Sequence, residues 1–307
     1  MSSRPTEPLR VTIIGGYLGA GKTTLLNRVL ANAHGLRAAV VVNDFGSVNI
    51  DARLVVAHDG ETVQLANGCL CCSLSDGFTE TLARLQERAQ SLDWVFVEAS
   101  GVADPQRIGY AAQSVGLDVD ATLVLADADA VRSLADDRYV GDTVRRQIAN
   151  ADVLVVNKVD LADDAALVAL RQWFDGLAPS TPRLETRLAE VPLALLVGPD
   201  RIRRDGTQPA TPEAPPHVEF ETRTFTAAAP VAKTTFETLR AELTAKAYRA
   251  KGFVRLANAP GDALLFQLVG ARSSLTPSTA TNPSEPALTI VAIGRPGSLA
   301  TIPFLGD

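Results

Sequence analysis

Three cysteines and three histidines are all that 307 residues hold of the softer metal ligands, beside two tryptophans and one methionine. The histidines, His34, His58 and His217, stand far apart and encode no cluster. An odd number of cysteines excludes a fully paired disulfide framework. Long apolar runs are missing too: none reaches the ~18 residues of a membrane span. The stretch from Val11 to Ala20 is broken by glycines and followed by Lys22, which excludes a signal peptide. Basic residues are not in excess. With 29 Lys and Arg against 35 Asp and Glu the net charge is −6, and no clustered basic face is encoded, so neither nucleic acid nor a membrane is expected as partner. What remains is a globular composition, 46% hydrophobic with a mean hydropathy of +0.10, long enough for about two domains and expected in the cytoplasm.

Against this background one pattern stands out. Gly16-Tyr17-Leu18-Gly19-Ala20-Gly21-Lys22-Thr23 reads GxxxxGK(S/T), directly after the apolar run Leu9 to Ile14 and directly before the helical pattern Leu25 to Leu30. Strand, loop and helix in that order make a P-loop. Gly16, Gly19, Ala20 and Gly21 let backbone N–H groups turn inward on a phosphate chain, and Lys22 can reach the β- and γ-phosphates. The Thr23 hydroxyl can ligate Mg²⁺, with Thr24 beside it at the helix N-terminus. A nucleoside triphosphate is therefore the expected ligand, and a plain glycine-rich turn the bland alternative.

Further apolar runs recur at Ala38 to Val42, Trp94 to Val97, Ala121 to Ala126 and Val153 to Val156, separated by helical or polar stretches. Such alternation predicts parallel βα units in a doubly wound sheet, whose strands are apolar throughout because helices cover both faces. Pro192 to Val197 reads as a closing strand. The Pro-rich, charged stretch that follows has no apolar period and marks the domain boundary. The expected organisation is a disordered N-terminus over 1–8, a P-loop NTPase domain of α/β class over 9–199, a linker over 200–216 and a smaller α+β domain over 217–307. In the last, Val218 to Phe225 reads as a strand, Phe236, Leu239, Leu243 and Ala247 fall at helical spacing, and Gly252 to Ala257, Ala263 to Val269 and Leu288 to Ile293 read as strands. Thr276 to Pro286 reads as a loop.

Three more motifs carry chemistry. Asn157-Lys158-Val159-Asp160 forms an NKxD loop after a strand. Asp160 can accept from N1–H and the exocyclic amine of guanine, a donor pair that adenine lacks, so GTP is the expected nucleotide. Asn157 would read the base edge and brace the loop, while the Lys158 stem packs on the ring. Glu98 ends the apolar run Val95 to Val97 and is the Walker B candidate, an acid placed to meet Mg²⁺ or its water shell. Asp44, in Asn43-Asp44-Phe45-Gly46, lies where a switch loop would feel the γ-phosphate; an Asx-turn leaving the strand is the alternative. Lys22, Glu98 and Asp44 are the catalytic candidates.

All three cysteines lie within Gly68-Cys69-Leu70-Cys71-Cys72. Cys69, Cys71 and Cys72 can give three thiolates to a soft or borderline cation such as Zn²⁺, leaving a fourth position open for release. A redox sensor and an inert buried turn are the other readings of the same run.

Together, Gly15 to Asn27, Asn43 to Gly46, the GCxCC run, Glu98-Ala99-Ser100-Gly101-Val102-Ala103-Asp104-Pro105 and Asn157 to Asp160 resemble the CobW-type GTPases, a metallochaperone family, over roughly the first 197 residues. The tail is similar to that family's small C-terminal domain. The resemblance implies a GTP-hydrolysing switch that binds a divalent metal, often Zn²⁺ and in some members Co²⁺ or Fe²⁺, and delivers it to a client apo-metalloprotein; a homodimer is left open. It places the cargo metal on Cys69, Cys71 and Cys72, beside the Mg²⁺ that the motifs themselves assign to Thr23 and Glu98. Two departures bear on this: many members carry Glu where this chain has Asp44, and many have a His-rich stretch that this chain lacks. A redox-regulated GTPase without metal transfer and a P-loop kinase are the rival functions, the latter disfavoured by the NKxD loop and the lack of an Arg-rich lid.

Overall fold

The structure, a computed structural model, describes residues 8–32, 36–42, 52–55, 62–65, 76–198, 220–278 and 286–304. Contacts divide the chain into two compact units: Met1–Pro179 with Leu184–Glu190, and Ser180–Arg183 with Val191–Asp307.

The first unit is built on a six-stranded sheet. Its strands are β1 (Arg10–Gly16), β2 (Ala38–Val42), β5 (Trp94–Glu98), β6 (Asp118–Asp127), β7 (Val153–Asn157) and β8 (Arg183–Glu185), in the order β2-β5-β1-β6-β7-β8. β3 (Ala52–Val55) and β4 (Thr62–Leu65) form a separate antiparallel pair. The pairings β2–β5, β5–β1, β1–β6 and β6–β7 are all parallel. β1, β5 and β7 are buried at every residue, as strands covered on both faces must be.

Helices α1 (Lys22–Asn32), α2 (Asp76–Glu87), α3 (Pro105–Ser114), α4 (Val131–Asp136), α5 (Gly141–Ala149) and α6 (Asp164–Leu177) link the strands. Local chemistry sets where they start. Asp104 caps α3 by accepting from Gln106 N at 3.0 Å, with Pro105 in the first helical position. Asp163 caps α6 by accepting from Ala166 N at 2.7 Å. Phe78 and Leu82 of α2 and Ile108 and Ala112 of α3 pack on Val11, Ile13, Val95 and Val97. Val144 and Ile148 of α5 and Phe174 of α6 pack on Val124, Ala126, Leu154 and Val156. The registers bring Ile14 beside Glu98, Gly16 beside Leu125 and Asp127 beside Asn157. One edge of the sheet, at the carboxyl ends of its strands, therefore gathers the P-loop, Glu98, Asp127 and Asn157, the place where open α/β sheets take their ligands.

The second unit holds an antiparallel sheet of β9 (Glu221–Ala227), β10 (Ala247–Leu256), β11 (Ala259–Val269), β12 (Arg272–Ser278) and β13 (Leu288–Gly294), ordered β12-β11-β10-β13-β9. Helix α8 (Lys233–Lys246) lays Phe236, Leu239 and Leu243 into its core, with Phe236 edge-on to Phe266 at 5.5 Å. The expected fold class, a P-loop NTPase sheet followed by a smaller α+β domain, is what the chain adopts.

Two local expectations change. Pro192 to Val197 is not a strand: Leu193–Val197 is a short helix, α7, with Pro192 at its N-cap and Gly198 closing it at φ 80°. A short apolar run is ambiguous between buried strand and buried helix, and here the Pro-before, Gly-after asymmetry decides for helix. Thr276 to Ser278, read as loop, end β12, which pairs with β11 from Arg272 to Ser278; the rest of that stretch as far as residue 285 lies outside the described residues.

Candidate nucleotide-binding site

After β1 the chain turns back on itself, with Ala20 N donating to Tyr17 O at 3.2 Å, and α1 opens with Leu25 N donating to Gly21 O at 2.9 Å. The first turn of α1 contains no acidic residue, so its positive end meets no competing charge from the helix itself. Lys22 is buried, and its Nζ donates to Tyr17 O at 3.3 Å, folding the amine back over the loop. Thr23 Oγ1 donates to Glu98 Oε1 at 2.7 Å, which joins the start of α1 to the end of β5. Gly19 and Thr24 are exposed, Ala20 buried.

Asn157 fastens this loop to a second one. Its Nδ2 donates to Ala20 O at 2.9 Å and its Oδ1 accepts from Ala189 N at 2.8 Å. Gly21 makes the approach feasible: it sits at φ 105°, and a Cβ there would run into the Asn157 amide. Of the two tasks expected of Asn157, the side chain is seen at the bracing one. Lys158 adopts φ 62°, turning the chain into the 3₁₀ turn Val159–Leu161, where Asp160 is exposed. Lys158 Nζ pairs with Asp127 Oδ2 at 2.6 Å.

The segment from Thr186 to Glu190 completes this edge. Thr186 N donates to Val156 O at 2.8 Å, Val159 N donates to Thr186 O at 3.3 Å, and Thr186 Oγ1 donates to Glu190 O at 2.7 Å, so the loop is pinned to β7 and closed on itself. Leu188 and Ala189 sit at φ 50° and 54°. Glu190 pairs with Arg28 of α1 at 3.3 Å, a second tie between this loop and the P-loop helix. Upstream, Arg171 of α6 forks onto Glu185 with two bonds of 2.6 Å. The Glu185 hydrogen bond holds the guanidinium above its usual pKa against the opposing effect of burial.

Beyond Glu98, the turn Ser100 to Ala103 lies on the P-loop. A Cβ on Gly101 would stand 2.5 Å from Leu18 Cδ2 and 2.8 Å from Leu18 N, so only glycine fits. Gln147 of α5 donates to Gly101 O at 3.1 Å and Ala103 O at 2.8 Å. The buried Ser100 hydroxyl has no hydrogen-bond partner among the described residues.

Of the sequence candidates, Gly16, Gly19, Ala20, Gly21, Lys22, Thr23, Thr24, Glu98, Asn157, Lys158 and Asp160 lie on loops and element ends at this one edge. Asp44, Cys69, Cys71 and Cys72 lie outside the described residues, among which no group of three His, Cys, Asp or Glu could hold a metal. No described helix is long and apolar enough to cross a membrane. Sequence reasoning missed Asp127, Gln147 and the loop from Thr186 to Glu190. Asp127 ends an apolar strand just as Glu98 does and carried the same signal; a single helical glutamine and a loop without glycine carried none.

Residues 10–184 match the model of the CobW/HypB/UreG nucleotide-binding domain. The chain belongs to this family. Residues 220–302 match the cobalamin synthesis protein CobW C-terminal domain, so both units of this CobW-family chain are accounted for. It is similar to the zinc chaperone CobW of Pseudomonas aeruginosa, 33% identical over 223 residues that cover 62% of this chain and 60% of that protein. It is also similar to the zinc-regulated GTPase metalloprotein activator 1 of Schizosaccharomyces pombe, 34% identical over 179 residues covering 54% and 43%. The chain thus spans less than two thirds of the length of these relatives. The crystal structure of Zn(II)-bound YjiA GTPase from E. coli aligns over 97% of this chain and 99% of that one, at 24% identity and a TM-score of 0.46.

Proposed function

We propose that this chain hydrolyses GTP and uses the nucleotide cycle to bind a divalent metal, Zn²⁺ foremost, and release it to a client apo-metalloprotein. The observation that carries the nucleotide half is Asn157, whose two polar ends hold the phosphate loop and the Thr186–Glu190 loop in one frame. A triphosphate at one end and a base at the other then have a fixed separation. Asp160, exposed beside that frame, supplies the guanine-selective carboxylate.

In the hydrolysis, water oxygen bonds to the γ-phosphorus while the bond to the β–γ bridging oxygen breaks, GDP departs with that oxygen, and the water's proton passes to phosphate. Lys22 and the N–H groups of Gly19 to Thr23 stabilise charge on the phosphoryl oxygens, and Glu98 orients the attacking side of the site. Thr23 Oγ1 and Glu98 Oε1 are hard oxygen donors 2.7 Å apart at a helix start and a strand end, a pair that suits Mg²⁺. When bound there, Mg²⁺ supplies charge neutralisation across the β- and γ-phosphates.

The metal half rests on the three clustered cysteines and on what the relatives are called, zinc chaperone CobW and zinc-regulated GTPase metalloprotein activator 1. A reciprocal coupling of ~1–3 kcal/mol between nucleotide and metal would change metal affinity about 5- to 150-fold, enough to turn retention into handover. GTP turnover measured with and without Zn²⁺ tests the reading. Expected is slow basal turnover, about 10⁻² s⁻¹ or below, that responds to metal, with free phosphate and no phosphorylated acceptor as product. Fast turnover indifferent to Zn²⁺ counts against the chaperone. For the cargo site, Co²⁺ substitution should give a thiolate charge-transfer band that Cys71→Ser diminishes; an unchanged spectrum removes the cysteines from the proposal.

A further inference from the structure

Gln147 lies on the buried face of α5 with 2% of its surface exposed, yet its side chain serves another segment. Its amide hydrogens reach Gly101 O at 3.1 Å and Ala103 O at 2.8 Å. The turn they reach is closed by Ala103 N donating to Ser100 O at 3.0 Å. Three of its four carbonyls are therefore held, two of them by one glutamine. The surroundings are mostly apolar: Gln147 lies with Leu18, Val124, Leu134, Val144 and Ile148, where an amide hydrogen bond is stronger than in water and a missing one harder to replace.

The turn has few chemical groups of its own to offer a nucleotide. Gly101 has no side chain, Val102 is aliphatic and 40% exposed, and Leu18 facing them is 59% exposed. Polar contact from Gly101 and Val102 to a phosphate must come from main-chain N–H groups. Their directions depend on the peptide planes, since in a planar trans peptide fixing the Gly101 carbonyl also fixes the Val102 N–H pointing the opposite way. Gly101 is in van der Waals reach of the Leu18 main chain, so the turn borders the phosphate cradle itself.

We propose that Gln147 is a positioning residue that locks the Gly101–Ala103 turn so that the Gly101 and Val102 N–H groups meet the terminal phosphate of a bound triphosphate and thereby distinguish GTP from GDP. The inference rests on the nucleotide reading above and deepens it. Lys22, Thr23 and the P-loop amides serve both nucleotides; the turn serves the γ-phosphate. In Gln147→Met, similar in length but without a donor, kcat for GTP falls about 10- to 100-fold, the loss expected when a reacting group is misplaced by a fraction of an ångström to an ångström. Affinity for a non-hydrolysable GTP analogue weakens while GDP affinity stays near that of the native chain; the thermal midpoint falls in the variant, because two carbonyls lose their donor.

A second measurement needs no variant. In the native full-length chain, the amides of Gly101 and Val102 exchange more slowly with the GTP analogue bound than with GDP, while those of α5 do not change. Equal exchange in the two states overturns the proposal. So does a folded Gln147→Met with native kcat, or one that loses affinity for the GTP analogue and for GDP in parallel. If the native chain binds neither nucleotide, the nucleotide reading fails first; if it hydrolyses GTP and Gln147→Met matches it, this inference alone fails.

Discussion

In the first unit, the long-range side-chain bonds of Asn157 and Gln147 end on loops at one edge of the parallel sheet; in the antiparallel sheet, those of Glu221, Arg223 and Arg249 end on passing chain segments. Glu221 accepts from Gly297 N at 2.8 Å and from the amides of Leu299 and Ala300. Arg223 donates to Leu299 O at 2.7 Å and Ile302 O at 2.8 Å, clasping the same turn from its other end. Arg249, 1% exposed, donates to Leu195 O and Leu196 O at 2.8 and 3.2 Å and so holds the last carbonyls of α7. Backbone strain follows the same division. Among the described residues the non-glycine positions with positive φ are Lys158, Leu188 and Ala189, all in the first unit: Lys158 follows Asn157 directly, and the other two sit on the loop that Asn157 Oδ1 holds. Each such conformation costs ~1–3 kcal/mol and persists where the surroundings over-determine it. The first unit carries its strain, and these polar bonds, at the carboxyl edge of its sheet; in the second such bonds fasten passing chain.

That contrast predicts that polar substitutions in the first unit change turnover and those in the second change stability. The largest effect is expected from Lys22→Ala: loss of a phosphate-facing cation should cut GTP turnover by roughly 10²- to 10³-fold, with the thermal midpoint nearly unchanged, read by phosphate release and scanning calorimetry. Asp160→Asn should weaken GTP roughly 10²-fold or more by placing a donor against guanine donors, and should gain affinity for the xanthine nucleotide, whose C2 carbonyl accepts; fluorescence titration of both nucleotides checks it. Arg249→Met should cost ~1–3 kcal/mol in denaturant unfolding by leaving two helix-end carbonyls unmet, while GTP turnover stays native. A loss of turnover with unchanged stability in that variant would break the comparison. Asp127→Asn should be mildest, since a partly exposed ion pair contributes about 1 kcal/mol or less; it should raise KM for GTP with little change in kcat, through the freed Lys158.

The P-loop, the NKxD loop and the Walker B acid were legible because each pairs a short pattern with a predictable strand end. Gly21 shows why the pattern is rigid: its φ and its closeness to Asn157 permit no side chain. The rest escaped for separate reasons. β8 is three residues long, too short for any period to register. The loop from Thr186 to Glu190 reaches φ 50° and 54° on Leu188 and Ala189, which ordinarily avoid that region, because bonds from Thr186 and Asn157 impose it. Gln147 reads as a surface helix residue until α5 is packed on the sheet. α7 did carry its signal, proline before and glycine after, but a run of branched and aliphatic residues masked it.

The route of the backbone between the two units has a practical side. It enters the second unit at Ser180, returns to the first at Leu184 and leaves it again after Glu190. No single cut therefore yields two complete halves. A fragment stopping at Pro179 forfeits Glu185, the Thr186–Glu190 segment and Arg28's partner, and one starting at Val191 forfeits Ser180–Arg183, whose Arg183 carbonyl accepts from the Tyr248 hydroxyl at 3.1 Å. During synthesis on the ribosome, the Thr186–Glu190 loop emerges after Ser180–Arg183 but before residues 191–307, so the first unit is complete while its partner unit holds only a short stub.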